Sequence, residues 1–445
     1  MFMLVKELDD LKRINEAVLY QPQPLSPFQI KVLDNQLTMI DSTMWNLSVG
    51  FKFRREAVDA QWLLYSANKA MQLHPVLNTR IFIDAEGEFK QQICPGFVQC
   101  NLKRVKEKDM EDILSQYPKP FSIINAPLVT VDIYVTPEHV YYLMEAHHIV
   151  FDSSSASVWF NELVNFYNDS TCDLEADLFP GFSALEQRYR ETEEYQQDKA
   201  YYEETYRRFD WCNMPPQDFP LQKNVSGHIR MSLGVSLDEL KEAERRCRTT
   251  RARLANAAGL LALAKYAQRD DVLITWIFHN RNEKWKANML GLLIRELPVG
   301  VHISELDTLD DLYKAINRQI KESTKRNNYQ YVVEHESTLI NDSMEINYKG
   351  AFLDMGSICS QLFELDECTE ILTFDDRITE GEARLELDIY EDPKAAPQDQ
   401  VYIEPVFITS IFKEENINGF FQMFRTMFQR LVKAEKTTPM AELLQ

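Results

Sequence analysis

The chain has 445 residues, 45% of them hydrophobic, and carries 48 Lys plus Arg against 69 Asp plus Glu, a formal net charge of −21. That length buries sizeable cores and divides into two or three domains. The acidic balance argues against nucleic acid and anionic membranes as main partners.

Leu8, Leu11, Ile14 and Val18 recur at helical spacing, and the stretch stops at the Pro-rich PQPLSP. We expect an N-terminal extension over 1–22. Its helix either docks another protein or packs on its own domain. A helix from about Pro27 follows, then a strand at NLSVGFKFR, a helix at AVDAQWLLYSANKAMQLH and two strands around Glu-Gly in NTRIFIDAEGEFKQQI. LVTVDIYV and HVYYLMEA read as neighbouring strands of a half-buried sheet. In SASVWFNELVNFY, Val158, Leu163, Val164 and Tyr167 share one helical face.

From Asn168 to Asn224 the pattern loosens, with turn-rich stretches flanking a charged helix at Glu186–Phe209. A domain connection belongs here. SLDE then reads as a capping box, Ser236 capping and Glu239 returning the bond. LANAAGLLALAKYA is a buried helix, VLITWIF a buried strand and LYKAINRQIKES a helix. SMEINYKG and ARLELDIYE are strands, and INGFFQMFRTMFQRLVKA is a final amphipathic helix. The whole reads as two α+β lobes, each a two-layer α/β sandwich.

The seven cysteines are odd in number and lack CxxC spacing, so they read as reduced packing residues. No early apolar run makes a signal peptide, and no later one spans a bilayer. The default expectation is a cytoplasmic location without membrane partners.

The stretch EAHHIVFDSSSASVWF, from Glu145, carries the chemistry. His148 follows a strand closely, and the Asp-Ser-Ser-Ser turn opens a helix. Such a junction holds a side chain rigidly at a cleft. Adjacent residues on an extended segment face opposite ways, so His147 and His148 have different jobs. Asp152 organises the turn by bonding N–H groups or by pairing with an arginine, and Ser154 or Ser155 caps the helix. A histidine here suits proton removal from an amine, hydroxyl or thiol, or hydrogen bonding to an oxyanion. The plainer alternative is a structural histidine pair. Nothing fixes a third metal ligand, so no metal is expected.

HHIVFDSSS resembles the HHxxxDG motif of nonribosomal peptide synthetase condensation domains. Other segments resemble that family in order: LSPFQ at Leu25–Gln29, HPVLNTRIF at His74–Phe82, DKAYYEE at Asp198–Glu204 and FHNRNEKWKANMLGLLIRELPV at Phe278–Val299. KESTKRNNYQY from Lys321 and MEINYKG from Met344 continue the series, and the likeness runs from Leu25 to Lys433.

The resemblance implies a pseudo-dimer of two chloramphenicol-acetyltransferase-like lobes in a V, with a tunnel between them. The N-terminal lobe covers 23–180, the C-terminal lobe 181–435, and TTPMAELLQ within 436–445 resembles the start of a linker toward an adenylation domain. The segments around Asn280–Gly291 and Met344–Gly350 fall in the second lobe.

The implied reaction is amide formation in nonribosomal peptide synthesis, as in antibiotic and other secondary metabolism. An acceptor aminoacyl amine attacks a donor acyl or peptidyl thioester. No intrinsic cofactor is implied, since phosphopantetheine arms come with partner carrier domains. The upstream donor carrier sits on a separate protein, and the acceptor carrier and adenylation domain lie downstream.

By carry-over His148 is the catalytic histidine, His147 supports it, and Asp152 is the structural acid. The family's arginine partner for that acid falls at Asn78, with Arg80 as a nearby substitute. The family glycine after the acid is Ser153, which implies lost backbone freedom. His279 and Arg281 are further structural or tunnel-lining candidates. These departures leave two other readings: a catalytically impaired domain for carrier docking or recruitment, and an ester-forming acyltransferase of the same fold.

Overall fold

The computed structural model describes residues 8–168, 178–209, 214–220, 226–334, 344–350, 369–372 and 385–445. Two units emerge from the chain's contacts. The first holds Met1–Thr192, His279–Ile294 and Leu353–Arg377; the second holds Glu193–Phe278, Arg295–Phe352 and Ile378–Gln445.

In the first unit the strand His139–His147 is central in a five-stranded sheet. The order is Thr369–Leu372, Asn46–Arg54, His139–His147, Val129–Val135, Cys100–Arg104. Its antiparallel register against Asn46–Arg54 runs from Asn46 opposite His147 to Arg54 opposite His139. Every residue from Val140 to His147 is buried. Covered on both faces, the strand shows a nearly continuous apolar run rather than the alternation of a half-wet sheet. The helices Ala60–Leu73 and Ser153–Tyr167 pack on each other, burying Leu63, Ala67 and Ala70 from one and Val158, Leu163 and Val164 from the other.

A smaller sheet joins Gln23–Pro24, Phe89–Ile93 and Thr79–Ile83. The N-terminal helix Leu8–Val18 packs on Phe179–Tyr189 through buried Leu11 and Asn15. Asn15 Oδ1 accepts a bond from the Gly181 N–H at 2.8 Å. The described part of the extension therefore uses its buried stripe on its own unit.

The single charged helix expected over Glu186–Phe209 is two helices, Phe179–Tyr189 and Glu193–Tyr206. Thr192 ends the first by donating to the Tyr189 carbonyl from its hydroxyl at 2.7 Å and its N–H at 3.0 Å. A side chain that competes for backbone carbonyls favours such a break. The boundary between units falls at this break, twelve residues beyond the expected end at 180.

In the second unit a seven-stranded sheet runs Arg295–His302, Asp271–Phe278, Glu345–Gly350, Leu385–Glu391, Val401–Ile408, Ser226–His228, with Met231–Ser232 also on Val401–Ile408. The helices Leu237–Cys247, Arg251–Ala267, Leu309–Lys325 and Glu414–Lys433 bury Leu240, Leu261, Ile316, Phe424 and Phe428 in its core. Ser236 and Glu239 form the expected capping box. The strand Val401–Ile408 was not among the expected elements, and it carries Pro405, which has no N–H for a ladder. Its outer neighbours pair with Tyr402–Ile403 and with Val406–Ile408, leaving Pro405 unpaired on that side.

Two expectations about the second lobe differ from the contacts. Residues 279–294 pack with the first unit. The last ten residues, expected as the start of a linker, are held on the second unit: Met440 and Leu443 are buried, and Lys265 Nζ donates to the Leu444 carbonyl at 2.5 Å. Among the described residues no helix is long and apolar enough to cross a membrane.

Candidate active site

His147 ends the central strand with no exposure. The Ile149 N–H donates to its Nδ1 at 3.2 Å. A neutral ring accepting there carries its hydrogen on Nε2, which lies 3.2 Å from Gln36 Oε1. Gln36 is oriented by donating from Nε2 to the Met39 and Ser42 carbonyls, each at 3.1 Å. Burial, and then the neighbouring His148, push the His147 pKa down to about 3. The ring is a neutral fixed strut.

His148 starts a 3-10 turn, His148–Val150, and is half-buried. Its N–H donates to the Trp45 carbonyl at 2.7 Å, and its ring meets the Trp45 ring edge-on at 5.8 Å. The two rings differ in surroundings, as expected for this pair: His147 is sealed inside, and His148 is half-buried at the start of the turn.

Asp152 is fully buried. It is the N-cap of the Ser153–Tyr167 helix, with Ser155 as its capping-box partner. The expectation that Ser154 or Ser155 caps is thus corrected: Asp152 sits in the extended N-cap position, so its carboxylate meets the free N–H of the first turn. Asp152 Oδ1 accepts from the Ser155 N–H and hydroxyl, both at 2.9 Å. Oδ2 accepts from Arg281 Nη1 at 2.8 Å and from the Leu293 N–H at 3.0 Å. Burial pushes this carboxyl up, but the Arg281 charge and the N–H donors outweigh it and hold the pKa below the usual carboxylate range.

Arg281 is therefore the ion-pair partner that the sequence reading sought at Asn78 or Arg80. Asn78 is buried and accepts from the Val98 N–H at 3.0 Å. Arg80 donates to Gln92 Oε1 at 3.1 Å and lies 4.7 Å over the Phe82 ring. Asn78 is thus tied to the loop after Phe89–Ile93, and Arg80 is bonded across the smaller sheet. Arg281 also donates from Nη2 to Ser155 Oγ and to the Met289 carbonyl, each at 3.1 Å. Ser155 Oγ further accepts from the Gly291 N–H at 3.1 Å. Gly291 has φ +137°, and a Cβ there would come within 2.2 Å of the Phe179 ring. This position needs glycine for both reasons.

Ser153 is the first residue of its helix and is not among the non-glycine residues of positive φ. Serine at the glycine position therefore carries no backbone strain, contrary to the sequence expectation. His279 is exposed, with Nδ1 3.3 Å from Ser154 Oγ. A groove of about 380 Å³ runs beside it, lined by Ser154, Asn161, Asn165, Arg281 and Asn288 among others.

The structure thus assembles His147, His148, Asp152, Ser153, His279 and Arg281, and it leaves out Asn78 and Arg80. Sequence reasoning missed the convergence of Ser155 and the Leu293 N–H on the acid, and the Gly291 N–H bonded to Ser155 Oγ. The available signal was the acid itself: a buried carboxylate needs a cation, and Arg281 lies in one of the ordered family-like segments. Among the described residues, Glu107–Glu138–His139 and Asp270–Asp271–His302 are grouped closely enough to hold a metal; neither includes a residue of this site.

A sequence profile described as Condensation domain matches residues 20–443. Gramicidin S synthase 2 of Brevibacillus brevis is 22% identical over 295 residues, 65% of this chain and 7% of that protein. Surfactin synthase subunit 2 of Bacillus subtilis (strain 168) is 25% identical over 277 residues, 60% of this chain and 8% of that protein. The chain thus spans under a tenth of the length of these curated relatives. Among solved structures, the X-domain from teicoplanin biosynthesis aligns with TM-score 0.75 and 15% identity, covering 95% of this chain and 97% of that one. The condensation domain from Monacolin K polyketide synthase MokA aligns with TM-score 0.75 and 14% identity, covering 94% and 99%.

Proposed function

The chain belongs to the condensation-domain family, and from that premise we propose that it joins an acyl or peptidyl donor to an aminoacyl acceptor through an amide. Both substrates are thioesters on the phosphopantetheine arms of carrier domains. The acceptor nitrogen attacks the donor thioester carbon, the carbon–sulfur bond breaks, and the donor arm leaves as a thiol after taking up a proton. The nitrogen loses that proton equivalent.

His148 is the residue for this step. The observation that carries the reading is the assembled turn. His147 is locked inside, Asp152 is neutralised by Arg281, and half-buried His148 stands between them on a rigid junction. His148 assists the attacking amine as base or as positioning group. Near-neutral pH leaves part of an α-amine already deprotonated, so alignment can carry much of the effect. His147 and Asp152 hold the junction, and Arg281 completes the pair. An upstream donor carrier, a downstream acceptor carrier and an adenylation domain complete the partner set.

The test is a single-turnover coupling assay with both carriers loaded from a small acyl panel and the arms followed by mass spectrometry. His148→Ala is run beside the wild type. We expect amide on the acceptor arm and a rate loss of about 100-fold or more in the variant, the usual scale for a positioned acid or base. Transfer only to a hydroxyl acceptor would replace amide with ester formation. Carrier binding without any transfer would replace the enzyme with a docking or recruitment domain.

A further inference from the structure

Lys286 is a lysine with 1% exposure, held only six residues from Asn280 in the chain. Burying an ammonium is costly unless it is paired and hydrogen-bonded. Lys286 meets both conditions. Nζ donates to Asn280 Oδ1 at 2.9 Å and pairs with Glu283 Oε2 at 3.0 Å. It also lies 5.3 Å over the Phe182 ring and 5.2 Å over the Trp285 ring. Faces of aromatic rings attract a cation, and more so when water is absent.

The acceptor is as unusual as the donor. Asn280 is wholly buried and left-handed, with φ +53°. Asparagine tolerates that region better than most side chains, but it is still a place that the surroundings must enforce. The next residue is Arg281, whose Nη1 reaches Asp152 at 2.8 Å. A one-residue reversal at Asn280 therefore decides where the guanidinium starts. Met289 N–H bonds back to the Lys286 carbonyl at 3.1 Å, and the Met289 carbonyl in turn accepts from Arg281 Nη2 at 3.1 Å. The loop closes on itself at Lys286 and delivers Arg281 from the closure.

We infer that Lys286 is a positioning residue for condensation: its buried ammonium fixes the left-handed turn at Asn280 and so aims Arg281 at Asp152. The inference rests on the proposed condensation activity for its kinetic consequence. Its structural consequence needs no turnover. Lys286 touches no reacting atom. It acts through Asn280, Arg281 and the Asp152-capped turn that carries His148.

Three variants of the full chain test it. Lys286→Met keeps length and ring packing and removes the charge. Lys286→Arg keeps the charge. Asn280→Gly leaves the left-handed turn accessible and removes the acceptor. Two measurements are made: the single-turnover coupling rate at saturating and sub-saturating loaded carrier, and the urea midpoint from pH 4 to pH 8. We expect Lys286→Met to slow saturated coupling about ten-fold with the half-saturating carrier concentration unchanged. Its stability loss should be largest at pH 8 and shrink toward pH 4, because a buried carboxyl without a well-aimed counter-ion takes up a proton more readily. Lys286→Arg should recover part of the rate, and Asn280→Gly should move both readouts in the same direction. In combination with Arg281→Met, Lys286→Met should add little.

A stability loss equal at every pH with an unchanged rate would overturn the inference, as would additive effects in the double variant. If Lys286→Met does not fold, Asn280→Gly decides by the same two readouts. If the wild type does not couple at all, the proposed function fails, and the acid limb of the unfolding profile still tests the positioning role.

Discussion

Arg281→Met removes the counter-ion of a carboxylate that has no exposure, while keeping most of the side chain's bulk. Breaking a buried ion pair by deleting one partner costs about 3–5 kcal/mol. Asp152 would still accept from the Ser155 N–H, the Ser155 hydroxyl and the Leu293 N–H. Those three donors place the expected loss at the lower end, about 3 kcal/mol, or roughly 150-fold in the local opening equilibrium. The loss depends on pH. In the wild type the carboxyl sits below its ordinary range, so its contribution is present above that range and disappears as pH falls toward the folded value. In the variant, burial without Arg281 raises the carboxyl, and it takes a proton earlier. The penalty is therefore full at pH 8 and shrinks at pH 5. Amide hydrogen exchange at Ser155 and Leu293 reads this locally, since both N–H groups donate to Asp152. Faster exchange by about 100-fold at pH 8, with a smaller ratio at pH 5 after correction for intrinsic rates, is the expected result. A change below about five-fold, or one equal at both pH values, would refute Arg281 as the counter-ion.

Ser153→Gly should leave coupling within about two-fold of wild type and lower stability by up to ~1 kcal/mol, because the helix start needs no positive φ there; a clear gain in rate would show that the serine obstructs the site. His147 is buried neutral with its pKa pushed down to about 3 from 6.5, so its contribution is present above about 6.5 and is lost as pH falls. By pH 5.5 about 1.4 kcal/mol should be gone, and His147→Gln should flatten that part of a thermal-melt profile; an unchanged slope would contradict a buried neutral ring. In the second unit, burial and then the Asp388 charge push Glu386 up to about 8, against the opposing charge of Lys349. Its contribution is present below the ordinary 4.5 and is lost as pH rises through about 8. Glu386→Gln should therefore raise the melting temperature relative to wild type at pH 8.5 and lose that advantage at pH 4.5; no pH dependence in the difference would refute it.

The sequence by itself determined the local devices. The capping box at Ser236 and Glu239 needs only four consecutive residues, and it formed as read. The helix Arg251–Ala267 follows from a continuous apolar run, and the amphipathic Glu414–Lys433 from apolar periodicity. The different surroundings of adjacent His147 and His148, one sealed and one half-buried, match the expectation that neighbours at a strand end face different ways. Family-like segments in order then pointed to the fold and to the His147–Asp152 turn as the candidate site.

Tertiary structure decided what no short window contains. Asp152 and Arg281 are 129 residues apart, and only packing says which arginine meets the acid. The motif position pointed to Asn78, but Asn78 is spent on the Val98 N–H. Pro405 can sit inside a strand because the outer neighbours pair on either side of it and leave that position unpaired. Ser153 looked costly by analogy with glycine, and the observed φ removed the cost. Burial did the same for charge. The sequence contains Asp152 and His147, but their protonation comes from being moved out of water beside particular partners, at distances that the fold alone sets.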